Sequence, residues 1–358
     1  MDTLKSYTER VQAAASSRAP LRIRGGGTKD FYGQALVGEV LDMRAYHGVV
    51  SYEPSELVVT VRAGTPLAEL EALLASQGQC LPFEPPHFGP GATVGGMVAS
   101  GLNGPARSSV GAVRDYVLGV QLLNGKAEVL TFGGQVMKNV AGYDVSRLMA
   151  GSLGTLAVLL EVSLKVLPLA PAQSTLAFAL DEAAALQQLN RWGGLPLPIN
   201  ASCWQAGQLS VRLRGAVAAV AAAQRTMGGA LLAADQAAAL WRSLREQTAP
   251  FFMLQPGQSL WRLSVADTAA PLGLGPTLLE WGGAQRWVHR PALHADVVRA
   301  AAHAARGHAS LFRAGSVQAK TVPVFTPLAA PLERIARELK RQFDPAGIFN
   351  PQRLLATA

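Results

Sequence analysis

Glu84-Pro85-Pro86-His87-Phe88-Gly89-Pro90-Gly91-Ala92-Thr93-Val94-Gly95-Gly96-Met97-Val98-Ala99-Ser100-Gly101-Leu102-Asn103-Gly104 is the stretch whose reading decides the fold. It holds six glycines in 21 residues, where average usage of about 7% gives one or two. Glu84 is its only charged side chain. Glycine reaches positive φ without steric cost and admits a close neighbour, so backbone N–H groups here are open to approach. Thr93 fits the N-cap of a short helix through Ala99, which sets amides and the positive end of a dipole just after the turn. That is a way to hold a diphosphate without lysine. The plainer reading is a tight loop.

Two other segments share this character. Leu21-Arg22-Ile23-Arg24 alternates as a short strand and runs into Gly25-Gly26-Gly27-Thr28-Lys29-Asp30-Phe31-Tyr32-Gly33, a second amide cradle with Arg24 and Lys29 at hand. Gly151-Ser152-Leu153-Gly154-Thr155-Leu156-Ala157-Val158 lets a backbone approach a flat ligand. Neither common nucleotide fingerprint is present. Gly89-Pro90-Gly91 is followed by Val94 where G-x-G-x-x-G needs glycine, and Gly125-Lys126 is followed by Ala127 rather than Ser or Thr. A Rossmann dehydrogenase and a P-loop enzyme are therefore disfavoured. A cofactor with an aromatic plane, a sugar chain and a pyrophosphate would use all three segments, and FAD fits that description better than a mononucleotide.

The chain has 358 residues, 49% hydrophobic and 16% charged, with 36 Gly and 22 Pro. Those values describe a loop-rich globular protein of one large or two ordinary domains. The net charge of +8 invites a nucleic-acid reading, but the arginines are scattered. The densest cluster, Arg334, Arg337, Lys340 and Arg341, has helical spacing and includes Glu333 and Glu338, as a solvated helix face would. We expect no nucleic-acid partner. Two cysteines, Cys80 and Cys203, are too few for an iron–sulfur or multi-cysteine metal site, and free thiols fit a cytoplasmic chain. The N-terminus lacks an apolar signal core, and no run of 18 apolar residues predicts a membrane span. Peripheral attachment to a membrane through a partner stays open.

In order, residues 3–18 read as a helix, followed by strands at 21–24, 36–41 and 57–61. Thr65-Pro66 is expected to cap a helix bearing Leu67, Leu70, Leu73 and Leu74 on one face, stopped by Gly78. Strands 116–123 and 127–132 are expected to join at Asn124-Gly125, with a short helix before Ala150 and a long strand from Thr155 to Val166. From residue 174, Ala-rich helices alternate with short strands: strands 174–180, 199–205, 208–213, 260–265, 277–282 and 309–313, and helices 181–192, 216–227, 235–247 and 292–305. That pattern suggests an antiparallel α+β cap. An amphipathic helix from 327 to 343 ends at Asp344-Pro345-Ala346-Gly347-Ile348-Phe349-Asn350-Pro351.

Arg24 to Lys29, Pro85-Pro86-His87, Gly91 to Ala99, Lys138-Asn139-Val140-Ala141-Gly142-Tyr143-Asp144, Gly151 to Leu156 and Asp344 to Pro351 stand in the order seen in the vanillyl-alcohol oxidase type FAD-binding family. The chain resembles that family over essentially its whole length, and within it the FAD-binding subunits of bacterial glycolate oxidases (glycolate dehydrogenases). The resemblance implies an α+β fold. An FAD-binding domain of two α+β subdomains would comprise residues 1–172 with 328–358 returning to it, and 173–327 would be an inserted α+β antiparallel-sheet cap. It implies that Arg24, Gly25, Gly26, Gly27, Thr28 and Lys29, with Pro85, Gly91, Ala92, Thr93, Gly95, Gly96 and Met97, surround the pyrophosphate. Ser100, Gly101, Gly111, Gly151, Gly154, Thr155 and Val158 would continue along the cofactor.

Relatives that bind flavin covalently through the first loop carry histidine where Thr28 stands, so the FAD is expected to be noncovalent. The implied chemistry is oxidation of a small 2-hydroxy acid, glycolate, to glyoxylate. A paralogous catalytic flavoprotein subunit and a separate iron–sulfur subunit would be partners. Catalytic subunits of the family carry an H-x-G-D-G-N-x-H type metal segment; here His303-Ala304-Ala305-Arg306-Gly307-His308 lacks its acidic and amide residues, so no metal is expected. Leu153 stands where many relatives have glutamate. His87 is a candidate base or simply a loop hydrogen-bonder, and Lys138 and Tyr143 are weaker candidates for the flavin side. Arg242, Arg262 and Arg286 could clamp a carboxylate. A stand-alone 2-hydroxy-acid dehydrogenase and a structural subunit stabilised by FAD are the other readings.

Overall fold

The computed structural model describes residues 3–134, 144–316 and 318–355, which fall into two compact units. The first comprises Met1–Leu102, Ala112–Pro168 and Pro327–Ala358; the second comprises Asn103–Gly111 and Leu169–Thr326. Set against the expected division at 172 and 328, the short segment Asn103–Gly111, with Gly111, belongs to the second unit. Its anchor is Trp281, whose indole N–H donates to the Gly104 carbonyl at 3.1 Å while Arg107 lies 4.6 Å over its ring.

In the first unit, five antiparallel strands take the order Val49–Glu53, Val58–Arg62, Val158–Lys165, Val117–Leu123, Val129–Gly133. Val158–Lys165 is flanked on both sides, which is why its residues read as a nearly continuous apolar run. Val49–Glu53 was not expected: it is a largely exposed edge strand, so burial imposes no alternation on it. Thr65 does not cap the helix Leu67–Ser76. Pro66 is the N-cap, and the buried Thr65 hydroxyl instead accepts from the Gly48 amide at 2.9 Å. The hairpin after Leu123 closes through residues 124–128 rather than a two-residue turn, because the Asn124 side-chain oxygen accepts from the amides of Lys126 and Glu128.

The helix Thr3–Ser17 buries Tyr7, Val11 and Ala14, spaced along one face, against Leu21, Leu41, Leu123 and Leu160. Ile348 and Phe349 complete this core with no exposed surface, each contributing about 1.5–3 kcal/mol of burial. Ile348 and Phe349 thus share one core with the helix Thr3–Ser17. Leu21 donates to the Ile348 carbonyl at 2.7 Å, and Leu21 pairs with Phe349 in a parallel bridge.

The second unit is built on an eight-stranded antiparallel sheet with the helices Glu182–Gly193, Val217–Met227, Ala234–Arg245 and Ala295–Ala304 and the short helix Arg107–Val110. All six tryptophans of the chain lie in it. The strand Gln285–Arg290 was not expected either; its mixed polar pattern reflects buried Gln285 and Arg286, whose polar groups are satisfied inside. The expected helix 292–305 begins three residues later, after a 3₁₀ turn at Ala292–His294.

Candidate functional site

The helix Val94–Ser100 starts at Thr93, whose hydroxyl accepts from the Gly96 amide at 3.2 Å, and stops at Gly101 with φ +60°. Both ends press against glycine loops. A Cβ at Gly25 would lie 2.2 Å from the Thr93 hydroxyl, one at Gly26 only 1.5 Å from the Gly91 carbonyl oxygen, and one at Gly101 2.9 Å from the Gly151 Cα. Any side chain there would force the loops apart. Two further bonds lock the third loop on: the amides of Gly151 and Leu153 donate to the Val98 and Ala99 carbonyls at 3.0 and 2.8 Å.

A continuous groove results within the first unit. The Arg24–Lys29 loop forms one wall, Thr93, Gly95, Gly96, Ala99 and Ser100 the floor, and Leu153, Gly154 and Ala157 the other wall. The structure brings the three glycine-rich segments together. It corrects which amides are open. The first four helix amides are all engaged: Val94 with the Thr65 carbonyl, Gly95 with Ala63, Gly96 with the Thr93 hydroxyl and Met97 with the Thr93 carbonyl. Among the described residues, the N–H groups of Gly25, Gly26, Gly27 and Thr28 take no backbone acceptor. The anion-ready donors therefore sit on the first loop, beside Lys29, and an anionic diphosphate fits them.

Several expected site residues support the groove without lining it. Met97 and Val158 are fully buried core side chains, and Ala92 is 3% exposed. Thr155 turns inward: its hydroxyl donates to the Ser152 carbonyl at 2.7 Å and its own carbonyl accepts from Lys340 at 2.7 Å. Gly95 does line the floor and is fixed there by packing as well, since a Cβ on it would meet the Ala63 Cβ at 2.8 Å. Pro85 and Gly91 frame the neighbouring loop. His87 is taken up by Glu71, 3.0 Å away, and its carbonyl accepts from Lys29 at 3.2 Å. Phe88 stacks edge-on against Phe31 at 5.5 Å, fastening the proline-rich loop to the first glycine loop. Lys138 and Tyr143 lie outside the described residues.

The C-terminal segment supplies residues that sequence reasoning left out of the site. Asn350 lines the groove; its side-chain oxygen accepts from the Ile23 amide at 2.8 Å and its side-chain nitrogen donates to the Leu153 carbonyl at 2.7 Å. It clamps the first strand to the third loop. Arg353, 4% exposed, donates to the carbonyls of Asp30, Tyr32 and Gln34 and so holds the far end of the first loop. Burial lowers its pKa to about 10, against the opposing pull of Asp30. Asp30 in turn accepts from Arg22 and, at 2.9 Å, from Arg24. The signal that could have found these residues was present: Asn350 lies in the Asp344–Pro351 motif and Arg353 just after it, but their partners lie 197 to 327 residues away.

In the second unit, Arg286 is not available to a substrate carboxylate. It has no exposed surface and donates to the carbonyls of Gly283, Ala270 and Ala269. Arg242 is exposed on its helix, and Arg262 lies 5.4 Å over the Phe312 ring. His303 and His308 sit on the helix Ala295–Ala304 and at the start of the strand His308–Arg313.

The FAD binding domain family matches residues 2–133. The glycolate oxidase subunit GlcE of Escherichia coli is 46% identical over 99% of this chain and 98% of its own length. Shorter matches include the glycolate oxidase subunit GlcD of Bacillus subtilis, 30% identical over 44% of this chain and 34% of that protein. A mitochondrial cytochrome-type D-lactate dehydrogenase of Arabidopsis thaliana is 32% identical over 39% of this chain and 25% of that protein. Among solved structures, alkyldihydroxyacetonephosphate synthase has the same fold, with a TM-score of 0.66 at 16% identity, covering 96% of this chain and 74% of that one. The fold is therefore the α+β vanillyl-alcohol oxidase type, and the cofactor is FAD. The chain belongs to the family of the glycolate oxidase subunit GlcE, FAD-dependent oxidoreductase subunits.

Proposed function

We propose that this chain is the FAD-binding subunit of a complex that oxidises glycolate to glyoxylate, working with a paralogous catalytic flavoprotein subunit and a separate iron–sulfur subunit. The observation that carries the cofactor site is the glycine groove, with unengaged amides at Gly25 to Thr28. Those amides and Lys29 would receive the pyrophosphate, and Thr93, Gly96, Ala99 and Ser100 would lie beneath the cofactor. Bound FAD would supply the two-electron acceptor for a 2-hydroxy acid. Thr28 offers no imidazole for a bond to flavin, so the FAD is held noncovalently. Similarity to GlcE along nearly the whole chain supports glycolate as the substrate of the assembly.

Two residues that could have served the chemistry here are already engaged, His87 by Glu71 and Arg286 by three carbonyls. We therefore place the reacting site on the partner flavoprotein. Two cysteines cannot hold an iron–sulfur cluster, so that carrier must be another chain. No helix among the described residues is long and apolar enough to cross a membrane.

Purified alone, the chain should be yellow, and acid precipitation should leave its flavin in the supernatant. Anaerobic glycolate should not bleach it until the other subunits are added. Bleaching of the isolated chain would instead show an autonomous dehydrogenase. A colourless protein after FAD reconstitution would sink the cofactor site.

A further inference from the structure

The proline-rich loop 84–89 is held in a conformation that its residue types do not favour. Glu84 and Phe88 take φ of +48° and +55°, and Gly89 takes +135°. Residues other than glycine enter this left-handed region at a steric cost, and stay there where their surroundings fix them. Three contacts do so here. His87 Nε2 lies 3.0 Å from Glu71 Oε2 on the helix Leu67–Ser76, with both side chains mostly covered. Phe88 meets Phe31 edge-on at 5.5 Å, and a Cβ at Gly89 would lie 3.5 Å from the Thr28 methyl. The loop is thus pinned between that helix and the first glycine loop.

The φ angle of Phe88 also sets the plane of the peptide that joins it to His87. The carbonyl of that peptide accepts from the Lys29 ammonium at 3.2 Å. Lys29 donates as well to the Thr28 hydroxyl at 3.4 Å and stands 5.7 Å from the Phe88 ring centroid. Lysine is a point charge on a flexible four-carbon stem, so its own backbone does not decide where the charge stands. Here the neighbouring loop decides it. Lys29 and Thr28 line the groove together with the glycines of the first loop, while Glu71 and His87 stand outside it.

We propose that Glu71 and His87 are positioning residues for the cofactor, an inference that rests on the groove receiving the pyrophosphate of FAD. Glu71 fixes the imidazole, the imidazole fixes the strained loop, and the loop carbonyl holds the Lys29 ammonium beside the amides of Gly25 to Thr28. A cation placed in advance loses less side-chain freedom when the diphosphate arrives. His87 serves the site through its own backbone carbonyl, with its ring turned to Glu71.

The test uses the full chain, freed of flavin and titrated with FAD while flavin fluorescence is followed. Lys29→Met should weaken binding about 10- to 100-fold, as loss of a charged hydrogen-bond donor does. Glu71→Ala and His87→Ala should each weaken it about two- to tenfold, the worth of one hydrogen bond. Glu71 occupies a partly exposed helix position where alanine is the most favourable residue, so Glu71→Ala keeps the fold. Glu71→Gln removes the charge but keeps the acceptor oxygen, and should bind FAD as the wild type does. In a Lys29→Met background Glu71→Ala should cost nothing more, because both act through the same ammonium. Wild-type affinity in Glu71→Ala, or the same loss in both backgrounds, would overturn the positioning role and leave FAD in the groove. Wild-type affinity in Lys29→Met would overturn the placement of the pyrophosphate, and the positioning role with it.

Discussion

At the scale of single residues, the groove depends on atoms that are missing. Gly26 faces the Gly91 carbonyl so closely that one methyl group cannot be housed. Gly26→Ala should cost about 1–3 kcal/mol, as overpacking does, and should release FAD, read by chemical denaturation and by flavin retained on gel filtration. Asn350 acts in the opposite sense, through two hydrogen bonds that it alone supplies. Asn350→Ala leaves the half-buried Leu153 carbonyl and Ile23 amide without these partners, at about 1 kcal/mol each. It should weaken FAD binding without altering the second unit. Wild-type flavin retention by Asn350→Ala would show that the clamp is dispensable.

At the scale of elements, the glycine turns and the Thr93 cap were legible because each is a local requirement: a positive φ, a close approach, a hydroxyl three residues before an amide. The helix amides misled for a local reason too. A cap predicts where a helix starts but not which distant carbonyls, here Ala63 and Thr65, reach its first turn. Val49–Glu53 was missed as an exposed edge, and Asn350 was missed because nothing near it in sequence reveals its partners. The helix Ala330–Phe343 was legible as an amphipathic helix, but that none of its residues is buried was not.

Lys340 at the end of that helix yields a prediction. Burial lowers its pKa, and Asp344 only partly offsets this. Above that lowered value the unfolded chain binds more protons at this site than the folded one. Stability contributed by Lys340 should therefore rise with pH toward the unfolded value of 10.5 and be least below its folded value. Lys340→Met should abolish that slope and cost about 3–5 kcal/mol, because Asp344 would stay buried without its cation. Urea titrations at several alkaline pH values would check both.

For the whole molecule, the two units come with separate optical reporters. Flavin reads the first, and the six tryptophans read only the second. FAD at about 100 times its Kd adds about 2.7 kcal/mol to whatever it binds, a shift of about 5–10 °C for a unit of this size. Flavin release should follow the FAD-dependent transition, while the tryptophan transition should keep its midpoint as FAD is varied. A tryptophan midpoint that tracks FAD would show that the units melt as one.

The bond between Ile23 and Asn350 spans 327 positions. A ribosome makes Ile23, which leads into the first glycine loop, 327 positions before its clamp, at about 5–20 residues per second. The loop must therefore wait unfastened while the entire second unit is synthesised. Cofactor capture then waits on the clamp: a chain cut short before Asn350 carries every glycine of the groove and should still leave translation without flavin.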